Sequence, residues 1–248
     1  MKTIRAVLAI ALSVLAVLPS LAAGTVLILD YHSFLGAKST LDYPIADFAA
    51  QLDRMKALGY TFVSLEDAMA GRLVGKKNIA ITIDDGNHSV MAAVEEVLRP
   101  RGIPVGLFIY PAAIGRSKTV LTAQQLVTLQ SEGCEIGAHG YTHQYMTPRA
   151  WLRNRKQVLR EASLPMAALA KITGKAPSVF AYPYGVAAPG ARDAVRAAGY
   201  AWAFLASEKV RFVDPTDPAL NHWAVPRTIV YHWNRRAIFK LLEARAGP

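Results

Sequence analysis

One pattern recurs along the chain: a helical stretch, a glycine, then a short apolar strand. "FAAQLDRMKALG" leads to "YTFVSL", "VMAAVEEVLRPRG" to "IPVGLFIY", "AQQLVTLQSEG" to "CEIGA" and "ARDAVRAAG" to "YAWAFLA". Apolar residues three and four apart mark the helical pieces, and Gly59, Gly102, Gly133 and Gly199 stand where a left-handed C-cap belongs. Strands that alternate with helices need crossover connections, so the sheet is parallel and covered on both faces. With "TVLIL", "NIAITI", "PSVFAY" and "RTIVY" the chain has about seven core strands. That number predicts an α/β barrel or a strongly wound sheet. No linker or low-complexity tract divides the chain, so one domain is expected.

The residues that follow these strands are unusual. Asp30, Tyr31 and His32 follow "TVLIL", Asp84 and Asp85 follow "NIAITI", and His139 follows "EIGA". Pro183 and Tyr184 follow "VFAY", and His232 follows "TIVY". In a parallel α/β barrel the C-terminal strand ends form one rim, where sites are built. Titratable side chains therefore gather on a single face.

Two adjacent carboxylates repel each other, and each is costly to desolvate without a compensating positive group. Asp85-Gly86 is also a common turn pair, so the twin acids read either as a turn or as a cation site. "HGYTH", residues 139 to 143, adds two imidazoles four apart, with Gly140 placing them on a strand end that curls into a turn. Two histidines and one carboxylate suit zinc or a similar divalent ion with positions left for water and substrate. One ion needs only one of the acids, which frees the other as a general base.

Lys2 and Arg5, the apolar stretch from Ala6 to Leu18, and "SLAAG" have the layout of a secretory signal peptide cut after Ala22. Residues 1–22 are then a leader, 23–248 the mature domain, and the destination the periplasm or the medium, with no stable membrane anchor after cleavage. The formal charge is +10, and Lys2 and Arg5 leave with the leader, so a mature chain would carry +8. Such a charge favours anionic envelope polymers. The basic residues are scattered except for "RNRK" at 153–156, which a solvated helix face explains, so nucleic acid is not the expected partner. The single cysteine, Cys134, excludes an internal disulfide and reads as a small buried strand residue.

In these motifs the sequence resembles the polysaccharide deacetylases of carbohydrate esterase family 4, the NodB-homology domains. Their TFDDG motif stands here as "TIDDG" at 82–86, and their H[ST]xxH as "HGYTH". RxPY is present in part as "AYPYG" at 181–185, and LxH has a counterpart in "VYH" at 230–232. "LDYHSF" and "FAAQLDRMKALGYTFVSLEDAM" are similar to the branch that acts on poly-N-acetylglucosamine. The resemblance implies a distorted (β/α)7 barrel and removal of acetyl groups from N-acetylglucosamine units of a polysaccharide. It implies Asp84 as catalytic base, Asp85, His139 and His143 as ligands of a divalent metal, Zn2+ foremost, and the Tyr184 backbone N–H as oxyanion donor. His232 would be the general acid.

The chain departs from that pattern where Ala181 replaces the arginine that steadies the base, and it has no clear fourth motif near "AFLASE". Arg227 is the residue that could approach from elsewhere. Ala181 leaves open a metal-containing polysaccharide-binding protein without turnover, and other members of the family open a second alternative, an acetyl esterase on another glycan. His32 and Tyr31 could line the rim or simply pack, and His88 at a helix start and His222 before a strand are expected outside the site. Trp202, Trp223 and Trp233 are candidates either for stacking on sugar or for packing.

Overall fold

The computed structural model describes residues 24–36 and 39–247; the expected leader, residues 1–22, lies outside them. The strands are β1 (Thr25–Tyr31), β2 (Thr61–Phe62), β3 (Lys77–Asp84), β4 (Val105–Ile109) and β5 (Glu135–Ala138). They continue with β6 (Val179–Ala181), β7 (Trp202–Ser207), β8 (Phe212–Val213) and β9 (Val225–Ile229). β1 pairs with β3 on one side and β9 on the other, and β4, β5, β6 and β7 complete the circuit with every pairing parallel. The result is the expected distorted seven-stranded barrel. β5 and β6 are joined only through Ala138 and Phe180, which makes that seam the thinnest in the wall.

The helices wrap this ring. They are α1 (Ile45–Ala57), α2 (Leu65–Met69) and α3 (Val90–Ala92), which winds on through a π stretch and a 3-10 turn to Arg101. α4 (Ala123–Ser131), α5 (Pro148–Arg153), α6 (Arg155–Thr173), α7 (Pro189–Ala197) and α8 (Arg235–Ala246) follow. Gly59, Gly102, Gly133 and Gly199 have φ of 80°, 63°, 95° and 97°, the left-handed closure expected at those helix ends. Among the described residues no helix is long and apolar enough to cross a membrane.

Two of the expected strands differ in extent. "YTFVSL" contributes only Thr61–Phe62, outside the ring, because Ser64 Oγ accepts from Asp67 N and starts α2 at once. The "RTIVY" strand begins earlier, at Val225, where β7 offers a pairing partner, and ends at Ile229.

The two-residue period of the strands decides what lines the barrel. Leu27, Leu29, Ile79, Ile81 and Ile83 belong to the layer packed under the helices. Val26, Ile28, Ala80, Phe108, Val179, Ala181, Phe204 and Val225 form a second buried cluster inside the ring. Asp30, Thr82, Asp84 and Arg227 continue this inner set in sequence register, and all four are buried. The lumen is therefore apolar at its base and charged where the strands end.

Candidate active site

Asp84 closes β3 pointing inward and is 2% exposed. Arg227 meets it with both arms of the guanidinium: Nη1 donates to Oδ1 at 2.7 Å and Nη2 to Oδ2 at 2.6 Å. Nη1 also donates to Thr82 Oγ1 at 3.0 Å, and the guanidinium lies over the Phe108 ring. Nη2 is 3.4 Å from Asp30 Oδ2, so one buried cation faces two buried carboxylates. The fork on Asp84 decides which of them stays charged. Burial raises the Asp84 carboxyl, but Arg227 and then His139 outweigh it and hold it down at about 2. Burial dominates at Asp30, where Arg227 opposes it and Asp84 adds to it, and the carboxyl is pushed up to about 7.

Beside this pair, Asp85 and the two histidines converge. His139 is buried at the end of β5, and its Nδ1 donates to the Ala181 carbonyl at 2.8 Å. A carbonyl can only accept, so the opposite nitrogen, Nε2, presents its lone pair to the site. That Nε2 lies 3.5 Å from Asp85 Oδ1 and 3.2 Å from His143 Nε2, while His143 Nε2 lies 3.2 Å from Asp85 Oδ1. Two ligand atoms bound to one tetrahedral ion at about 2.1 Å stand roughly 3.4 Å apart, so the three residues fit a zinc-sized cation. Asp85 Oδ1 is shielded from solvent and accepts no hydrogen bond among the described residues, as expected for a ligand atom. Asp30, His32 and Asp84 make a second close trio, but the Arg227 guanidinium beside it disfavours a metal there.

Backbone conformation points to the same place. Among the described residues, the only non-glycine residues with positive φ are Asp85 (69°), His143 (60°) and Tyr184 (60°). Each left-handed residue costs on the order of 1–3 kcal/mol and persists only where its surroundings hold it. Gly86, at φ 67°, follows Asp85 closely, and a Cβ there would come within 2.9 Å of Ile109 Cδ1. The His143 ring packs between Tyr110 and Tyr184, and burial, then His139, lowers its pKa. Tyr184 stacks on Tyr145 at 3.7 Å, both half exposed, giving the rim an aromatic shelf.

The structure thus brings Asp84, Asp85, His139, His143 and Tyr184 together and takes His232 elsewhere. His232 is half exposed, with Nε2 3.6 Å from Asp47 Oδ2 and its ring beside Tyr43. Asn234 is the cause. Its Oδ1 accepts from Tyr231 N and its Nδ2 donates to the Ile229 carbonyl, which folds the chain sharply after β9. That side chain makes no capping bond to α8, although Asn234 stands at the helix N-cap position. A third imidazole near the acids is His32, whose Nδ1 lies 3.8 Å from Asp30 Oδ1. One nitrogen of His32 and one oxygen each of Asp30 and Asp84 lie within 4.8 Å of one another. Its signal was the same as that of the twin acids, a titratable residue directly after an apolar strand. Trp202 stacks on His222, Trp223 Nε1 donates to the Tyr200 carbonyl, and Trp233 lies exposed against Tyr231. His88 is exposed beside Gln125, and Cys134 is buried.

A family model for polysaccharide deacetylases matches residues 72–203, more than half of the chain. The protein belongs to the polysaccharide deacetylase family. Its fold superposes on IcaB from Ammonifex degensii with a TM-score of 0.77 at 25% identity, over 90% of this chain and 98% of that one. It also superposes on the Streptococcus pyogenes deacetylase PplD, at 17% identity and a TM-score of 0.73, over 90% of this chain and all of the other, a likeness of fold. A bifunctional xylanase/deacetylase from Pseudobutyrivibrio xylanivorans is 28% identical over 109 residues, 44% of this chain and 17% of that relative. The chain therefore matches only a small part of that larger enzyme.

Proposed function

We propose that the protein is an exported, metal-dependent hydrolase that removes N-acetyl groups from N-acetylglucosamine units of an envelope or extracellular polysaccharide, in the periplasm or outside the cell. The observation that carries this reading is the triangle of Asp85, His139 and His143 set against Asp84. Asp85, His139 and His143 would hold a divalent ion, zinc by preference, which when bound would supply Lewis-acid polarisation of the acetyl carbonyl and acidify water. Asp84 orients the attacking water and takes its proton as the water oxygen bonds to the acetyl carbon. Its pairing with Arg227 makes it a weak base but keeps it ionised and in one rotamer at neutral pH. The left-handed turn at Tyr184 supports a role for its N–H as a donor to the developing oxyanion. As the C–N bond breaks, the amine nitrogen needs a proton, and the proximity of His32 to Asp30 and Asp84 supports it as the donor. The products are acetate and a glucosamine unit.

Arg227 supports turnover despite Ala181, because its guanidinium holds Asp84 from β9. A silent binding protein loses its main support. The test is acetate release by the metal-loaded protein from N-acetylglucosamine oligomers, chitin oligomers, peptidoglycan and acetylated xylan. Turnover on the first is expected; release from xylan alone would move the activity to an ester, and release from none would favour a binding role. On the amide substrate, His32→Ala should lose on the order of a hundredfold in turnover with metal content unchanged. His232→Ala should stay within about threefold of the parent, as expected for a solvent-facing residue. The opposite ranking would return the acid to His232.

A further inference from the structure

Glu161 lies on α6 and is 0% exposed, yet it takes no part in the chemistry above. The buried face of that helix runs through Val158, Glu161, Ala162, Pro165 and Leu169, so a carboxylate occupies a core-facing position. Its Oε2 accepts from three backbone N–H groups: Tyr141 at 2.8 Å, Thr142 at 3.0 Å and Gln144 at 3.4 Å. Its Oε1 accepts from the Thr142 hydroxyl at 2.5 Å and from Gln157 Nε2, one turn earlier on α6, at 2.7 Å. These donors, Gln157 apart, belong to the segment that carries His143, and the N–H groups on either side of His143 both end on the same oxygen. A Cβ at Gly140 would come within 2.6 Å of that oxygen, so the carboxylate also accounts for the glycine between the two imidazoles.

We infer that Glu161 is a positioning residue that shapes the turn between His139 and His143 and thereby sets the affinity of the three-ligand site for a divalent cation. The inference rests on the reading of Asp85, His139 and His143 as metal ligands. A residue at φ 60° relaxes toward the ordinary helical or extended regions unless its neighbours are held. Glu161 holds both neighbours, and α6, 19 residues long and packed on the barrel, is a rigid support for it. The effect is transmitted through peptide groups and does not require contact with the imidazoles.

The experiment measures Zn2+ dissociation constants by chelator competition, and the visible absorption of Co2+, on folded mature protein well below its melting temperature. Glu161→Gln keeps the shape but turns an NH2 group toward one set of these donors. It should weaken Zn2+ binding by roughly ten- to a hundredfold and alter the Co2+ bands. Leu169→Val, on the same helix, should lower the melting temperature without changing either metal readout. Should Glu161→Gln fail to fold, Thr142→Val removes one donor at an exposed position and should weaken Zn2+ binding several-fold. Wild-type affinity in a folded Glu161→Gln, or in Thr142→Val where that variant substitutes for it, overturns the inference. So does an equal loss in Leu169→Val, which would mean general destabilisation. A parent protein that binds no Zn2+ overturns the metal reading itself, a separate result.

Discussion

Arg227→Ala is expected to destabilise the protein by about 3–5 kcal/mol and to reduce turnover to near background. The guanidinium is wholly buried and answers both Asp84 and Asp30. Its removal leaves two carboxylates in the lumen with no cation facing them from β9, a cost that proton uptake by Asp30 relieves only in part. Arg227→Lys should fold better, because the charge remains, yet a point charge cannot bridge both oxygens of Asp84 and the Thr82 hydroxyl. Its turnover should still fall at least tenfold, with metal content close to the parent's. Thermal melts, metal analysis and acetate release on the two variants decide the point. A melting temperature within a few degrees of the parent for Arg227→Ala, with turnover intact, would remove Arg227 from both roles.

The twin acids provide the second large effect. If Asp85, His139 and His143 hold the metal, Asp85→Ala should cut metal content sharply, and His139→Ala and His143→Ala should do the same. Asp84→Asn keeps the ligand triangle and should keep the metal, while turnover drops on the order of 10²–10⁴-fold because an amide cannot take the proton. The amide NH2 would also face a guanidinium arm, so some loss of stability should accompany it. Equal metal loss in Asp84→Asn and Asp85→Ala would show that the division between base and ligand is wrong.

What the sequence determined by itself is what depends on residues close together in the chain. Helical spacing, glycine C-caps and apolar strands are local patterns, and their alternation calls for a parallel sheet covered on both faces, as a barrel or a strongly wound sheet. The twin acids and the two imidazoles were legible for the same reason, since each pair spans five residues or fewer and follows a strand whose end is fixed by topology. Tertiary structure decided the pairings between distant segments. Arg227 meets Asp84 across 143 positions because β9 and β3 flank β1 in the closed ring and face the same lumen, and no local pattern specifies that arrangement. Glu161 serves a loop nearly twenty residues away for the same kind of reason. The different placements of His32 and His232 show the limit most clearly. Both follow apolar strands, but His32 comes directly after β1, whereas Asn234 bonds back to Tyr231 and Ile229 and swings His232 out to Asp47. Strand periodicity can place a side chain up to the last paired residue. Beyond it the side-chain hydrogen bonds of the turn choose the direction, and here they deliver His232 to Asp47 on α1, a neighbour that only the closed fold brings beside it.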